Sequence, residues 1–269
     1  MNEDFKRHLG IEQSARVTGG CIHECYRVSI AGKGFFLKTN AIRYEDAFAA
    51  EADGLAGLRE AGYRAPAPHS RGVLAGRAYL LMEFLDLRGA VDWPALARML
   101  AQAHRKRGPA FGWERDNYIG ATPQVNSWRD DWTEFWFENR MKPQLALARQ
   151  KGFALPEIPR GLLAEHRPQP SLLHGDLWSG NVNFMPEGPV VFDPAVYYGD
   201  READLAMTEL FGGFPREFYD VYNDVFPLPG GYAQRKPLYN LYHLLNHLNL
   251  FGRSYLGQVE ETLGLLRGA

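Results

Sequence analysis

Hydrophobic and polar positions along the chain change their period near residue 90. Before that point, β-branched and aromatic residues fall in short runs: RVTGG (16–20), CYRVSI (25–30) and GFFLKT (34–39). Glycine-containing turns separate them at Gly19-Gly20 and at Ala31-Gly32-Lys33-Gly34, a pattern that predicts a three-stranded antiparallel meander. Residues 44–61, YEDAFAAEADGLAGLREA, switch to helical spacing, with Gly62 just past their end and Pro66 and Pro68 behind it as a stop. YLLMEFL (79–85) is a continuous apolar run that suits a buried strand. From residue 92 helices dominate. Asp92-Trp93-Pro94 provides a cap and an early proline for ALARMLAQAHR. Residues 127–150 continue in helical style with Pro143 as a kink or break, and the C-terminal stretch reads as aromatic-rich helices ending in LYNLYHLLNHLNLFG. Between these, SLLHGDLWSGNVNFM and PVVFDP are short apolar runs around polar centres. The pattern predicts an α+β, bilobal chain. Residues 1–85 form a β-rich N-lobe with one helix, a hinge lies near 83–88, and residues 86–269 form a helical C-lobe.

Composition narrows the partners more than the fold. A chain of 269 residues with 45% hydrophobic and 23% charged residues is that of an ordinary globular protein. The net charge is −2 and no long basic run occurs, so nothing marks a nucleic-acid surface. The opening MNEDFKRHLG lacks the apolar core of a secretory signal, and no window approaches the ~18–20 apolar residues of a membrane helix. Cys21 and Cys25 are too few for a disulfide framework, which makes a reducing cytoplasm the expected location.

The most informative segment is 174–193. His174-Gly175-Asp176 is followed by four residues and then Asn181, and Asp193 comes twelve residues later at the end of Val190-Val191-Phe192. Phosphoryl transfer needs a carboxylate to orient and deprotonate the attacking hydroxyl, and hard oxygen ligands for the Mg²⁺ that bridges nucleotide phosphates. Protein kinases meet these needs with H-R-D-x-x-x-x-N and a later D-F-G. Here Gly175 replaces the Arg, and Asp193-Pro194-Ala195 replaces D-F-G. Taken singly, these residues could cap turns or open a loop; their joint spacing points to a protein-kinase-like site.

The N-terminal half offers the nucleotide contacts in the matching order. Gly19 and Gly20, with Cys21 and Ile22 behind them, lie between strand-like runs where backbone N–H groups can approach phosphates, though Gly-Gly is also an ordinary hairpin turn. Lys38 ends the third strand and reads either as a phosphate contact or as a solvated edge lysine. Positions 47, 51, 55 and 58 share one face of the following helix, placing Glu51 in a stripe with Ala47, Leu55 and Leu58. A carboxylate in an apolar stripe needs a cation, and Lys38 is the candidate. Glu45 and Asp46 lie off that face. Glu83, Phe84 and Leu85 fall at the hinge, where adenine meets backbone rather than side chains.

Four stretches carry a resemblance to one family: GGCIHECYRV (19–28), FGWERDNYIGATPQ (111–124), LLHGDLWSGN (172–181) and FDPAVYYGDREADLAMTELFGGF (192–214), with LYHLLNHLNLFG (241–252) also fitting. The chain resembles the fructosamine kinase family, close to the aminoglycoside phosphotransferases within the protein-kinase-like fold. The resemblance implies ATP and Mg²⁺, Asp176 as catalytic base, and Asn181 and Asp193 as metal ligands. It further implies phosphorylation of the sugar 3-hydroxyl of ketosamines on free amines or protein lysines, giving an unstable product that releases the amine. Asp204, in READLAMTELF, resembles the aspartate that braces the catalytic loop in kinase folds, and His174 is similarly expected to brace rather than to carry a proton. Aminoglycoside and choline kinases share the His-x-Asp-x-x-x-x-Asn frame, and a small-molecule phosphotransferase of that kind is the alternative function; a non-catalytic nucleotide-binding module is the third.

Trp178 sits two residues after the expected base, where it either stacks on the acceptor sugar or anchors the loop from the core. Cys21 in the glycine loop is either a plain thiol or a redox-sensitive one able to bridge two chains, the expected state otherwise being a monomer. His243 and His247 have the i, i+4 spacing of zinc helices, but no glutamate or further ligand completes a site, and the surrounding leucines favour core packing.

Overall fold

The computed structural model describes residues 3–17 and 23–268. Gly19, Gly20, Cys21 and Ile22 therefore lie outside the described residues, and with them the glycine-loop and Cys21 expectations.

A three-stranded antiparallel meander is present as β1 (Ile11–Val17), β2 (Glu24–Ile30) and β3 (Lys33–Ala41). Its first strand lies earlier than the 16–20 run the sequence suggested, whose residues 18–20 fall outside the described residues. β4 (Pro68–Leu74) is a strand the sequence did not suggest, while β5 (Arg77–Glu83) is the buried strand expected near 79–85; together they extend the sheet to the order β1-β2-β3-β5-β4. Pro68, read as part of a helix stop, opens β4, the edge strand, where a missing N–H costs no ladder bond. A second departure is α1 (Glu3–Leu9), which buries Phe5 against Tyr79 with ring centroids 5.8 Å apart. A seven-residue helix has too few apolar positions to announce itself by period. α2 (Glu45–Ala61) follows β3 as expected and ends at Gly62, whose N–H returns to Leu58 and Arg59 carbonyls.

The remainder is mainly helical. α3 (Trp93–His104) starts where Asp92 accepts the Ala95 N–H at 2.8 Å, the cap read from the sequence. A short hairpin of β6 (Asn117–Ile119) and β7 (Thr122–Gln124) comes next. The segment expected to be helical from 127 begins only at α4 (Trp132–Phe135), capped by Asp131, and runs through a π-helical turn (136–141) into α5 (Lys142–Gln150). Pro143 does not break this run. The wide turn lies immediately before it and absorbs the register that a proline, lacking an N–H, cannot hold. β8 (Ser171–Leu173), β9 (Val182–Met185), β10 (Gly188–Val191) and β11 (Tyr197–Gly199) form two small antiparallel ladders, β8 with β11 and β9 with β10. The chain closes with α6 (Arg201–Leu210), α7 (Arg216–Val225), α8 (Tyr232–Phe251) and α9 (Leu256–Gly268). No helix of the described residues is long and apolar enough to cross a membrane.

One apolar core joins Leu55 and Leu58 of α2, Leu80 and Met82 of β5, and Leu96 and Leu100 of α3 to Leu177 and Val191 of the 174–193 segment. A second, aromatic core packs Trp132, Trp136 and Tyr197 against Tyr239, Tyr242 and Leu245 of α8. His243 and His247 belong to this packing. The His247 ring lies among Phe211, Phe251 and Tyr255, and its Nδ1 meets the His243 carbonyl at 2.8 Å. Burial pushes His243 down to about 3, so it is neutral.

Candidate active site

The loop between β8 and β9 carries His174, Asp176, Trp178 and Asn181, and its shape is held from below. Asp204, in the first turn of α6, accepts the backbone N–H groups of His174 at 2.7 Å and Gly175 at 2.9 Å. His104, at the end of α3, reaches the same carboxylate at 3.2 Å and contacts the Tyr222 hydroxyl at 2.9 Å through its other nitrogen. Burial alone would raise the Asp204 pKa, but His104 and these donors outweigh it and hold the group below its ordinary value. His104 had no sequence signal beyond a polar residue ending an apolar helix.

Gly175 has φ +81°, and a Cβ there would collide with the Ala195 carbonyl. The glycine that replaces the kinase arginine lets the loop after Asp193 approach this closely. His174 completes the frame: its Nε2 meets the Phe192 carbonyl at 3.0 Å and its Nδ1 accepts the Asp176 N–H at 3.3 Å. Only a neutral ring protonated at Nε2 makes both bonds, and burial lowers its pKa in agreement. His174 is a brace.

Asp204→Asn replaces one accepting oxygen with a donor facing the loop N–H groups. It is expected to cost roughly 2–4 kcal/mol in denaturant unfolding. Because Asp204 has a depressed folded pKa, its contribution is present above the unfolded value, near 3.8, and is lost as pH falls through the folded one. The gap between variant and parent should therefore narrow below about pH 4, and an undiminished gap would show that the charge is not what matters.

Asp176 is half-buried, and Asn181 Nδ2 donates to its carbonyl at 2.8 Å and to its Oδ2 at 3.2 Å. Burial, with the nearby Asp193 charge, pushes its carboxyl up to about 7 against the lowering effect of Asn181. Asp193 follows β10, with φ +56°, a left-handed conformation that aspartate tolerates better than most residues. The Phe192 N–H to Asn181 carbonyl bond (3.2 Å) and the Ala195 N–H to His174 carbonyl bond (2.8 Å) tie its loop to the 174–181 segment.

From the sheet, Lys38 enters the same centre. Its side chain is 9% exposed, and its ammonium donates to Glu51 at 2.6 Å and also to Asp193. Burial would lower its pKa, but the two carboxylates hold it well above the ordinary lysine value. Burial raises Glu51 even beside this cation, while Lys38 keeps Asp193 low. Glu51 is the carboxylate that meets Lys38, as its helical face predicted, with Leu55 and Leu58 buried on the same stripe. At the end of β5, Glu83 turns its side chain to Arg64 at 2.6 and 2.9 Å, and its N–H is taken by the Ala67 carbonyl at 2.8 Å. Phe84 lies under the Arg27 guanidinium, 4.5 Å from its ring centre. Trp178 is 38% exposed, with its indole packed over Gly180 of the same loop and not in the core.

One further cluster has metal-ligand composition: His166, Asp200 and Glu202. Its carboxylates are already satisfied. Arg235 pairs with Glu202 at 2.6 and 2.7 Å, and Asp200 receives the Tyr239 hydroxyl at 2.6 Å and His166 at 2.7 Å.

Residues 1–267 of the chain match the family described as fructosamine kinase. A protein of Synechocystis named "Probable ketoamine kinase" is 46% identical over 94% of this chain and 90% of its own length. The chloroplastic protein-ribulosamine 3-kinase of Arabidopsis thaliana is 43% identical, over 96% of this chain and 84% of its own. Among solved structures, a candidate fructosamine-3-kinase from Haemophilus somnus superposes with a TM-score of 0.90 at 31% identity, covering 98% of this chain and 95% of that one. An aminoglycoside phosphotransferase solved with ADP and hygromycin B shares the protein-kinase-like fold, with a TM-score of 0.64 at 14% identity over 99% and 96% of the two chains. With its α+β architecture and a match over residues 1–267, this protein belongs to the fructosamine kinase family and is a kinase.

Proposed function

We propose that the protein transfers the γ-phosphoryl group of ATP to the sugar 3-hydroxyl of ketosamines, fructosamine or ribulosamine, on free amines or protein lysines. The observation that carries the reading is Lys38 bound between Glu51 and Asp193, residues from the sheet, α2 and the loop after β10 brought to one point beside Asp176. The acceptor oxygen attacks the γ-phosphorus, its proton passes to a carboxylate oxygen of Asp176, and the bond to the ADP oxygen breaks. Lys38 neutralises phosphate charge, and Glu51 fixes its position. Asn181 directs its amide N–H groups at Asp176, which leaves its oxygen for a cation, and the Asp193 carboxylate is 53% exposed. Such hard oxygens fit Mg²⁺, which when bound supplies charge neutralisation on the phosphates.

In this reading residues 1–85 and 86–269 are the two lobes. Leu85 offers the hinge backbone donor, because the Glu83 N–H is already taken, while Phe84 lines the entrance and Glu83 lends its carbonyl. Gly19 to Ile22 cover the phosphates, and Trp178 presents an indole face to the acceptor ring. The names of the relatives favour a ketosamine over an aminoglycoside acceptor, since the aminoglycoside enzyme shares the fold alone. A cytoplasmic monomer completes the reading, supported by the chain's two cysteines and the burial of Cys25.

An acceptor panel tests this. ATP consumption is expected with fructosyl-lysine or ribulosyl-lysine and not with kanamycin or choline. Trp178→Ala should raise KM for the ketosamine by on the order of tenfold, the loss of one stacking contact, and leave KM for ATP unchanged. Turnover of kanamycin in preference to both ketosamines would reject the acceptor assignment.

A further inference from the structure

The hairpin of β6 and β7 belongs to the helical region, yet it grips α2 from outside. Arg115, just before β6, donates to Asp53 at 3.0 Å and also to Asp46. The Tyr118 hydroxyl donates to the other Asp46 oxygen at 3.0 Å. The Trp113 ring lies so close to Gly57 that a Cβ there would stand 2.7 Å from it. Asp46, Asp53 and Gly57 form one stripe of α2, on the outer side of the helix and roughly 140° around its axis from Glu51, so the hairpin and the Lys38 centre hold α2 from two sides. Asp53 has a second cation, Arg71 at 3.9 Å, but Asp46 depends on Arg115 and Tyr118.

The inner side of the hairpin holds the loop after Asp193. Asn117 donates to the Val196 carbonyl at 2.7 Å, and Gln124 donates to the Ala195 carbonyl at 3.0 Å and to Asn117 at 2.9 Å. The Tyr242 hydroxyl fixes the Gln124 oxygen at 2.6 Å. These amides are buried and fully engaged, and that rigidity lets a short hairpin transmit a position. α2 also packs directly on this loop: a Cβ on Gly54 would lie 3.3 Å from Val196 and 3.4 Å from Pro194.

We infer that the β6–β7 hairpin is a strut that fixes α2 and the Asp193 loop relative to each other, with Arg115 as the positioning residue that sets Glu51, and through it Lys38, for the nucleotide phosphates. The inference rests on the kinase reading above and adds to it a residue that touches neither nucleotide nor acceptor. α2 makes its own contacts to the sheet, and Lys106 reaches the Glu60 carbonyl at its end. Arg115, however, joins two carboxylates of its outer stripe, Asp46 and Asp53, and with Tyr118 resists its rotation about the helix axis. Losing the link lets Glu51 move with α2, so the cost falls on phosphate binding and not on the acceptor.

The test compares Arg115→Ala, Arg115→Lys and Asp46→Asn with the unmodified protein, using Mg²⁺·ADP binding by titration and the separate KM values for ATP and ketosamine. Arg216→Ala, which removes an exposed pair with Asp220, is the control for losing a surface ion pair. Arg115→Ala should weaken Mg²⁺·ADP and raise KM for ATP about tenfold, within the 10²-fold that a 1 Å misplacement can cost. KM for the ketosamine should not change, and Arg115→Lys, which can reach only one of the two carboxylates, should recover part of the loss. Asp46→Asn should reproduce a smaller version of the effect, and Arg216→Ala none. A merely structural Arg115 would shift Tm and leave the KM split flat. Mg²⁺·ADP affinity within twofold of the parent in both Arg115→Ala and Asp46→Asn overturns the inference. Unmodified protein that binds Mg²⁺·ADP but phosphorylates no ketosamine sinks the acceptor reading alone, since the binding comparison still decides the strut. Unmodified protein that binds no Mg²⁺·ADP sinks both.

Discussion

Asp176→Asn should lower turnover by about 10²–10⁴-fold while nucleotide affinity stays near that of the parent. The amide keeps the volume of the side chain and an oxygen for the Asn181 donor, so the loop held by Asp204 and His174 has no reason to move. What it lacks is an oxygen that can take the proton. The parent carboxyl, lifted to about 7 by burial and by Asp193, is matched to a base working near neutral pH. Steady-state turnover with a ketosamine, set beside Mg²⁺·ADP titration, checks both halves of the expectation. A rate within about tenfold of the parent would remove Asp176 from the role of base, because positioning alone would then account for the catalysis.

Lys38→Met should have the next largest effect, on stability and activity together. The methionine fills the space but leaves Glu51 and Asp193 without their shared cation. Removing one partner of a buried pair costs about 3–5 kcal/mol because the remaining charge is left desolvated. For a chain of this size that corresponds to a Tm lower by roughly 10 °C. Part of the loss is recoverable by protonation. Burial already lifts the Glu51 pKa with Lys38 present, and without the ammonium the group rises further. A raised folded pKa means stability that is present at low pH and lost as pH climbs through that value. The deficit of Lys38→Met should therefore be smaller at pH 5 than at pH 8. Thermal melts at the two values decide this, and a deficit that grows on acidification would mean that Glu51 is not the group left stranded.

The candidate centre was easier to read in the sequence than its supports, for physical reasons. The residues proposed for phosphoryl transfer lie in one short segment with fixed spacing, so Asp176, Asn181 and Asp193 could be read in order along 18 residues. Glu51 was found because a helix repeats: its stripe with Leu55 and Leu58 is a local property. His104, Asn117, Gln124 and Arg115 make contacts to residues far away in the chain, and no local period encodes them. The family motif FGWERDNYIGATPQ contains three of these four but does not say what they touch. The π-helical turn before Pro143 was missed for a related reason. Proline signals a lost hydrogen bond, and only the surrounding core decides whether the chain breaks or widens there. Strand β4, an exposed edge carrying Pro68 and Gly72, has little of the alternation that marked its neighbours.

The knot beneath the catalytic loop also bears on how the molecule is made. His104 and Asp204 are 100 residues apart in the chain, and His104 and Tyr222 are 118 apart. Contacts of such separation close large loops before they return any stabilisation, so they form late on a folding path. Segments that draw on local contacts, such as the β1–β3 meander and α8, can be in place while Gly175 is still free to sample other conformations. Competence for phosphoryl transfer is then among the last properties this chain acquires as it folds, and among the first it gives up when α3 and α6 separate.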